Sequence, residues 1–310
     1  MKTKQNRAIL VLGKSRSYRA SFREAANLIV SNLKTLFLSL YPFPVVMGLT
    51  GALLSEFSNV GIPVYLVGLV IFAFLVVSMR EAFSCMMKDF QQTQKLKKIV
   101  WKTDWKGILI RSLVPFYLLV AQLAICVALT VGAVVCVNYH PGWFWGMAAI
   151  VAVLALVLCV PFNITLNYAQ LSNFGFVKAA VRGFVAMRRH YGPTLMLLFM
   201  SLLIVGGMCM VCYLPILVLN MAMSASEVAV SFGDATDLPS SLYVVRFLLC
   251  IILFSLMGFL LLLWFVPQYL HHYSMEKKED DRKKELEKMQ MTREAYLQAK
   301  ENYYLTMPQR

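Results

Sequence analysis

Residues 143–170 read WFWGMAAIVAVLALVLCVPFNITLNYAQ, with no Asp, Glu, Lys or Arg among them. A helix crossing a hydrocarbon core of about 30 Å needs roughly 20 apolar residues, so this stretch is long enough to span a bilayer. Trp143 and Trp145 open it, and Trp favours headgroup depth because its ring is apolar and its tip polar. Past Pro161 the run turns amide-rich without losing its helical pattern.

Further apolar runs lie at 35–55, 61–80, 109–138, 193–223 and 242–270, beside this one at 143–168. They carry most of a 59% hydrophobic content and a mean hydropathy of +0.64. Soluble domains run at about 45–50% apolar. The expected fold is therefore all-α, a polytopic membrane protein. Six transmembrane helices form three hairpins, each preceded by an amphipathic interfacial helix. The domain reading is a basic arm with its interfacial helix at 1–34, a membrane domain at 35–270 and a charged helical tail at 271–310.

The connecting segments are one-sided in charge. Lys and Arg crowd the arm before the first run (Arg16, Arg19, Arg23 and Lys34 among them), the segment from Arg80 to Lys106, and Lys178–Arg189 after the fourth run. The opposite connections hold Glu56, Glu227, Asp234 and Asp237, with Arg246 the one base near that face. Basic loops stay on the cytoplasmic side, so both termini are expected inside the cell and the number of crossings even. The first run is expected to act as an uncleaved signal-anchor. The formal net charge of +14 would point to nucleic acid in a soluble chain. Beside membrane spans it points instead to anionic lipid headgroups as partners, and nucleic acid is not expected.

Each hairpin begins with a basic amphipathic segment. Phe22-Arg23-Glu24-Ala25-Ala26 opens the first and Phe176-Val177-Lys178-Ala179-Ala180 the third. In the first, Phe22, Ala26, Ile29, Leu33 and Leu36 recur at helical spacing; in the third, Val177, Val181 and Phe184 do. The middle copy, 95–107, has Trp101 and Trp105, followed by Ile108 on the same face. Such stripes suit a headgroup boundary, where Lys and Arg stay wet. This repeated pattern resembles the bacterial membrane-domain family named after the glycerophosphodiester phosphodiesterase membrane domain, and related six-span bacterial proteins. The resemblance covers about residues 17–270 and implies an all-helical membrane fold. It carries over no catalytic residue, because these residues include no phosphodiesterase domain.

Charged side chains in mid-span usually mark function. Here Glu56, Glu81, Arg111 and Arg246 all fall near the ends of runs, where long basic chains can snorkel. The main polar cluster is Asn163, Asn167 and Gln170, which share one helix face at i, i+4 and i+7. They either line a polar pocket on the fourth helix or tie helices together, as amides commonly do in membranes. Pro42, Pro44, Pro161 and Pro267 are candidate helix breaks, with Pro42-Phe43-Pro44 able to interrupt the first span. Gly48, Gly51 and Ala52 beside them permit close helix approach.

Other chemistry is sparse. Cys209 and Cys212 sit in an apolar helix, where a thiol packs as a small hydrophobe, so no metal or redox role is expected. The runs hold no Ser–His pair, carboxylate dyad or His-Glu-x-x-His, so no catalytic residue, enzyme activity or cofactor is expected. His271 and His272 are expected to be solvated at the membrane boundary. In the tail, Glu279–Lys283 and Asp280–Lys284 have favourable helical spacing, and Leu286, Met289 and Tyr296 form a thin apolar line for a protein partner. The function expected from sequence is a non-enzymatic accessory or lipid-interacting membrane protein; the alternative is a small transporter with its polar pocket on the fourth helix. The compact loops point to a bacterial cytoplasmic membrane.

Overall fold

The first helix is set by its cap. Ser17 has extended backbone angles and its Oγ accepts the Ala20 amide at 3.3 Å, satisfying one of the donors a helix start leaves free. From there α1 runs Tyr18–Ser31 and ends at Asn32, whose side-chain amide turns back to donate to the Leu28 carbonyl at 3.0 Å. In this computed structural model the described residues are 17–56, 62–93, 96–139, 144–171, 175–232, 239 and 241–306. The sequence expectations for the arm 1–16, Lys95, the connection 140–143 and the acidic pair Asp234 and Asp237 lie outside them.

Eight further helices follow: α2 Leu33–Leu40, α3 Pro42–Glu56, α4 Ile62–Thr93, α5 Trp101–Tyr139, α6 Phe144–Leu171, α7 Phe176–Ser231, α8 Ser241–Leu260 and α9 Leu262–Thr306. All regular structure among the described residues is helical. Among the described residues three stretches are long and apolar enough to cross a membrane: Val64–Gln91, Val177–Ser231 and Ser241–Ala295. The pair α2–α3 makes a fourth if its two bent members form one span. The protein is thus an all-helical, membrane-embedded chain. The many exposed Val, Leu and Ile along α3, α4, α7 and α8 fit hydrocarbon as their solvent, since water would expose apolar patches far larger than soluble monomers carry.

The prolines divide into two groups. Pro42 opens α3 directly after a 59° bend from α2; at that position a missing N–H costs nothing because the helix leaves it unpaired anyway. Pro44 lies two residues further into the same first turn. Pro161 and Pro267 instead lie inside α6 and α9. The sixth run breaks earlier, at Leu261, whose amide bonds to the Gly258 carbonyl at 3.3 Å in a tighter turn. In α7 the kink is at His190 (φ −118°, ψ 15°), three residues ahead of Pro193.

The most extensive helix–helix packing joins α3 to α8. It is built on small residues: a Cβ placed on Gly48 would collide with the Ile251 carbonyl, and one on Gly258 would meet Pro44 at 3.1 Å. Close backbone approach is what drives association where lipid competes equally for apolar side chains. At the far end of the same pair Arg246 Nη2 lies 3.2 Å from Glu56 Oε1 and donates to the Ser55 carbonyl at 3.3 Å. The one base near the acidic face is therefore neutralised by a carboxylate of that face.

At the opposite, basic end a second core forms from Leu36, Leu40, Met79, Phe83, Met87, Tyr269 and Leu270. Here the sequence expectation for α1 is corrected in part. Of the expected stripe Ile29 and Leu36 are buried, Phe22 and Ala26 are partly buried and Leu33 is exposed, and Ser21, Ala25 and Leu28 complete the buried face. The face meets protein, since α1 packs on α9 and α7. The cause is the length of α9, which continues past the membrane-length portion and offers a surface that Ser21 and Ala25 are small enough to approach closely. The middle segment is likewise anchored in protein through Trp101, edge-on to Phe43 at 5.2 Å, and through buried Ile108. The third differs: Ala179, Gly183 and Ala186 turn inward while Val177, Val181 and Phe184 stay exposed.

Candidate functional site

Helix α4 does not stop where its apolar run does. The run ends at Arg80, yet the helix continues for several turns to Thr93. Arg80 therefore leaves the run already locked in helical geometry, and its direction is set by the face it occupies. That face looks into the bundle. Arg80 is only 6% exposed, and Glu81 beside it is 3% exposed. Glu81, read from sequence as lying near the end of a run, is buried there, and so is Arg80 beside it. Neighbouring helices cover this turn of α4, so the chains have no path to water.

The partners come from α6. Asn163 and Asn167 lie one turn apart on that helix and both are buried. Arg80 Nη2 donates to Asn163 Oδ1 at 3.1 Å and to Asn167 Oδ1 at 2.5 Å. Two aromatic rings of α9 flank the guanidinium, Phe265 and Tyr269, with centroids at 5.8 and 5.6 Å. A cation over such a ring is attracted by its negative face. Tyr269 also closes the cluster from above: its hydroxyl lies 2.9 Å from the Arg80 carbonyl and 3.1 Å from Gln170 Oε1. One O–H cannot serve both acceptors well. Rotating the Gln170 amide by half a turn would let its nitrogen donate to the Tyr269 oxygen, leaving the hydroxyl proton for the Arg80 carbonyl. Ser84 adds a bond to the Gln170 carbonyl at 3.1 Å.

Asn163, Asn167 and Gln170 are thus brought to one place, with Arg80, Glu81 and Tyr269 joining them from α4 and α9. Pro161 lies two residues before Asn163, the first α6 residue of this cluster, and Pro267 lies on α9 between the two flanking aromatics. Pro42 and Pro44 sit apart, in the α3–α8 packing. Thr165 lies on a neighbouring face of α6, where α7 approaches so closely that a Cβ on Gly183 would overlap its hydroxyl.

A second polar layer lies one turn further along α9. His271 and His272 are 3% and 0% exposed, which corrects the expectation that they are solvated. His271 Nε2 is 3.2 Å from the Thr194 hydroxyl on α7. His272 packs edge-on against Tyr168 at 4.6 Å and its Nε2 lies 3.4 Å from Glu276 Oε1. Their burial follows from the packing of α9 against α7 and α6, which supply Thr194 and Tyr168. Several buried polar atoms of the two layers have no hydrogen-bond partner among the described residues: Arg80 Nε, Asn163 Nδ2, both amide atoms of Gln268 and His271 Nδ1. No group of three or more metal-ligating side chains occurs among the described residues.

Chemically the cluster can hold a cation without a carboxylate in direct contact, and it can link three helices. It presents no activated nucleophile. Sequence reading reached Asn163, Asn167 and Gln170 by their spacing but passed over Arg80, Gln268 and Tyr269. The available signal was Arg80-Glu81 following an apolar run with no Gly, Pro or turn residue after it, which marks a helix that continues. Comparisons with family models, with curated proteins and with solved structures found no match.

Proposed function

We propose that this is a six-span integral membrane protein with both termini inside the cell, in a bacterial cytoplasmic membrane, and that it acts through lipid contact or as an accessory subunit without enzymatic activity. The observation that carries the reading is the engagement of Asn163 and Asn167. Their carbonyl oxygens are taken by Arg80 inside a packed cluster, so the polar face of α6 serves to join helices. The exposed apolar residues Val177, Val181 and Phe184 of α7, with Lys178 and Arg182 beside them, support contact with an anionic headgroup layer. The basic end of the bundle faces the cytoplasm in this reading because Lys and Arg concentrate there.

One observation favours a second reading. The unpartnered atoms of Arg80, Asn163, Gln268 and His271 are what a hydrated polar pocket needs, and a small transporter would place its substrate there. The two readings separate by thiol labelling. In a background without the native cysteines, Asn163→Cys and Asn167→Cys are expected to resist a membrane-impermeant maleimide from either side, while Lys178→Cys, which is exposed, labels from the cytoplasmic side. Rapid labelling at Asn163→Cys or Asn167→Cys would favour the transporter over the accessory role.

A further inference from the structure

Between α4 and the start of α5, at the basic end, lies a cleft of about 310 Å³. Lys97, Lys98 and Arg111 line it together with Asp89 and Asp104. All five are exposed, in contrast to buried Arg80. The segment carrying the two lysines is not a loose loop. Ile99, next to them, is buried in the core, and its amide donates to Ser39 Oγ on α2 at 3.3 Å. The Val100 amide is held by Asp104 Oδ2 at 3.2 Å. The three cations outnumber the two lining carboxylates, Asp89 and Asp104; Arg111 Nη1 also donates to the lining Cys85 Sγ at 3.6 Å and lies near Glu81. Met86 and Ile108, both buried, also line the cleft. Beside Arg111 on α5 runs an exposed apolar strip, Ile110, Val114 and Tyr117 at helical spacing. Trp105, one turn from the cleft, is half-exposed, with the Lys106 ammonium 5.6 Å above its ring, an arrangement suited to headgroup depth.

A cleft with a cationic mouth, an apolar floor and an apolar strip leading away has the polarity of one amphiphile. We infer that this cleft binds the phosphodiester headgroup of a glycerophospholipid, with Lys97, Lys98 and Arg111 on the phosphate and the acyl chains running along Ile110, Val114 and Tyr117. The inference rests on the lipid-contact reading above and gives it a specific site. Arginine and lysine bind phosphate through charge-assisted hydrogen bonds, roughly twice as strong as neutral ones.

The test uses the full-length protein, delipidated in detergent and titrated with phosphatidylglycerol, with bound lipid counted by native mass spectrometry. Three proteins are compared: the unaltered chain, Lys97→Gln/Lys98→Gln/Arg111→Gln, and a control with the same charge loss in the tail, Arg282→Gln/Lys288→Gln/Arg293→Gln. All six altered side chains are exposed, so both variants are expected to fold; an unchanged elution volume and fluorescence spectrum check this. The cleft variant is expected to bind at least about tenfold more weakly and the control within about twofold of the unaltered chain. Equal binding by all three would overturn the cleft and leave the lipid-contact reading standing. No retained lipid on any of them would remove both. In a second arm, glycerol 3-phosphate in excess is expected to leave the lipid bound; displacement would overturn the headgroup assignment in favour of a soluble phosphate ester.

Discussion

Replacing Arg80 by Leu is expected to lower the stability of the folded protein by about 2–4 kcal/mol, read as a fall in the thermal unfolding midpoint in nanodiscs. The estimate follows from opposing effects. Hydrogen bonds to a charged group contribute about 1.5–3 kcal/mol, and their loss leaves the Asn163 and Asn167 oxygens buried without a donor. The cation–aromatic contacts with Phe265 and Tyr269 add about 0.5–2 kcal/mol. Relief of the burden of keeping a cation out of water offsets part of this. Neutral amide links between membrane helices average only about 0.6 kcal/mol, so a charged donor is what makes this cluster consequential. A double-mutant cycle between Arg80→Leu and Asn167→Leu is expected to give a coupling of about 1–3 kcal/mol. Asn167→Asp, which sets a carboxylate against the guanidinium, is expected to retain stability. An Arg80→Leu protein as heat-stable as the unaltered one would show that the contacts do not hold these helices together.

Gly48→Val is expected to have a comparable or larger effect, about 3 kcal/mol or more, through a different mechanism. A Cβ at this position collides with the Ile251 carbonyl and with Ser255 Oγ. The serine can rotate, although it would give up its 2.6 Å bond to that same carbonyl. The carbonyl belongs to the α8 backbone and cannot move unless the whole helix does. Even Gly48→Ala therefore has to push α3 and α8 apart across their most extensive contact. Gly207→Ala supplies the contrast. A Cβ there meets nothing within 4 Å, and helix propensity alone favours Ala by up to about 1 kcal/mol. Unfolding midpoints for the pair are expected to move in opposite directions; loss of stability in both would point to a general intolerance of helix substitution instead of a tight α3–α8 approach.

The parts of this architecture that sequence made readable are those dictated by local chemistry. A single apolar run long enough to span a bilayer becomes a helix because a helix satisfies its backbone within the segment in lipid, and the described residues of the runs at 61–80, 109–138 and 143–168 each lie inside one helix. Pro42 stands at the bend and Gly48 in the closest packing for equally local reasons. What sequence left hidden depends on which elements meet. Arg80 counted as one more base at the end of an apolar run. Its inward direction is decided by Asn163 and Asn167, more than eighty positions away. The buried face of α1 departs in part from its apolar stripe because the covering surface belongs to α9, at the other end of the chain. His271 and His272 read as boundary residues for the same reason, since their cover includes Thr194 of α7 and Tyr168 of α6.

The central claim is that Arg80, Asn163, Asn167 and Tyr269 form a closed, packed junction at the basic end of a membrane-embedded bundle. Hydrogen–deuterium exchange of the full-length protein in nanodiscs tests it most directly. Backbone amides of 79–87, 163–170 and 265–273 are expected to exchange no faster than those of 47–52, which lie in the tight α3–α8 contact. Exchange of those three segments together while 47–52 stays protected would mean that water enters the junction, and the account would be wrong at its centre.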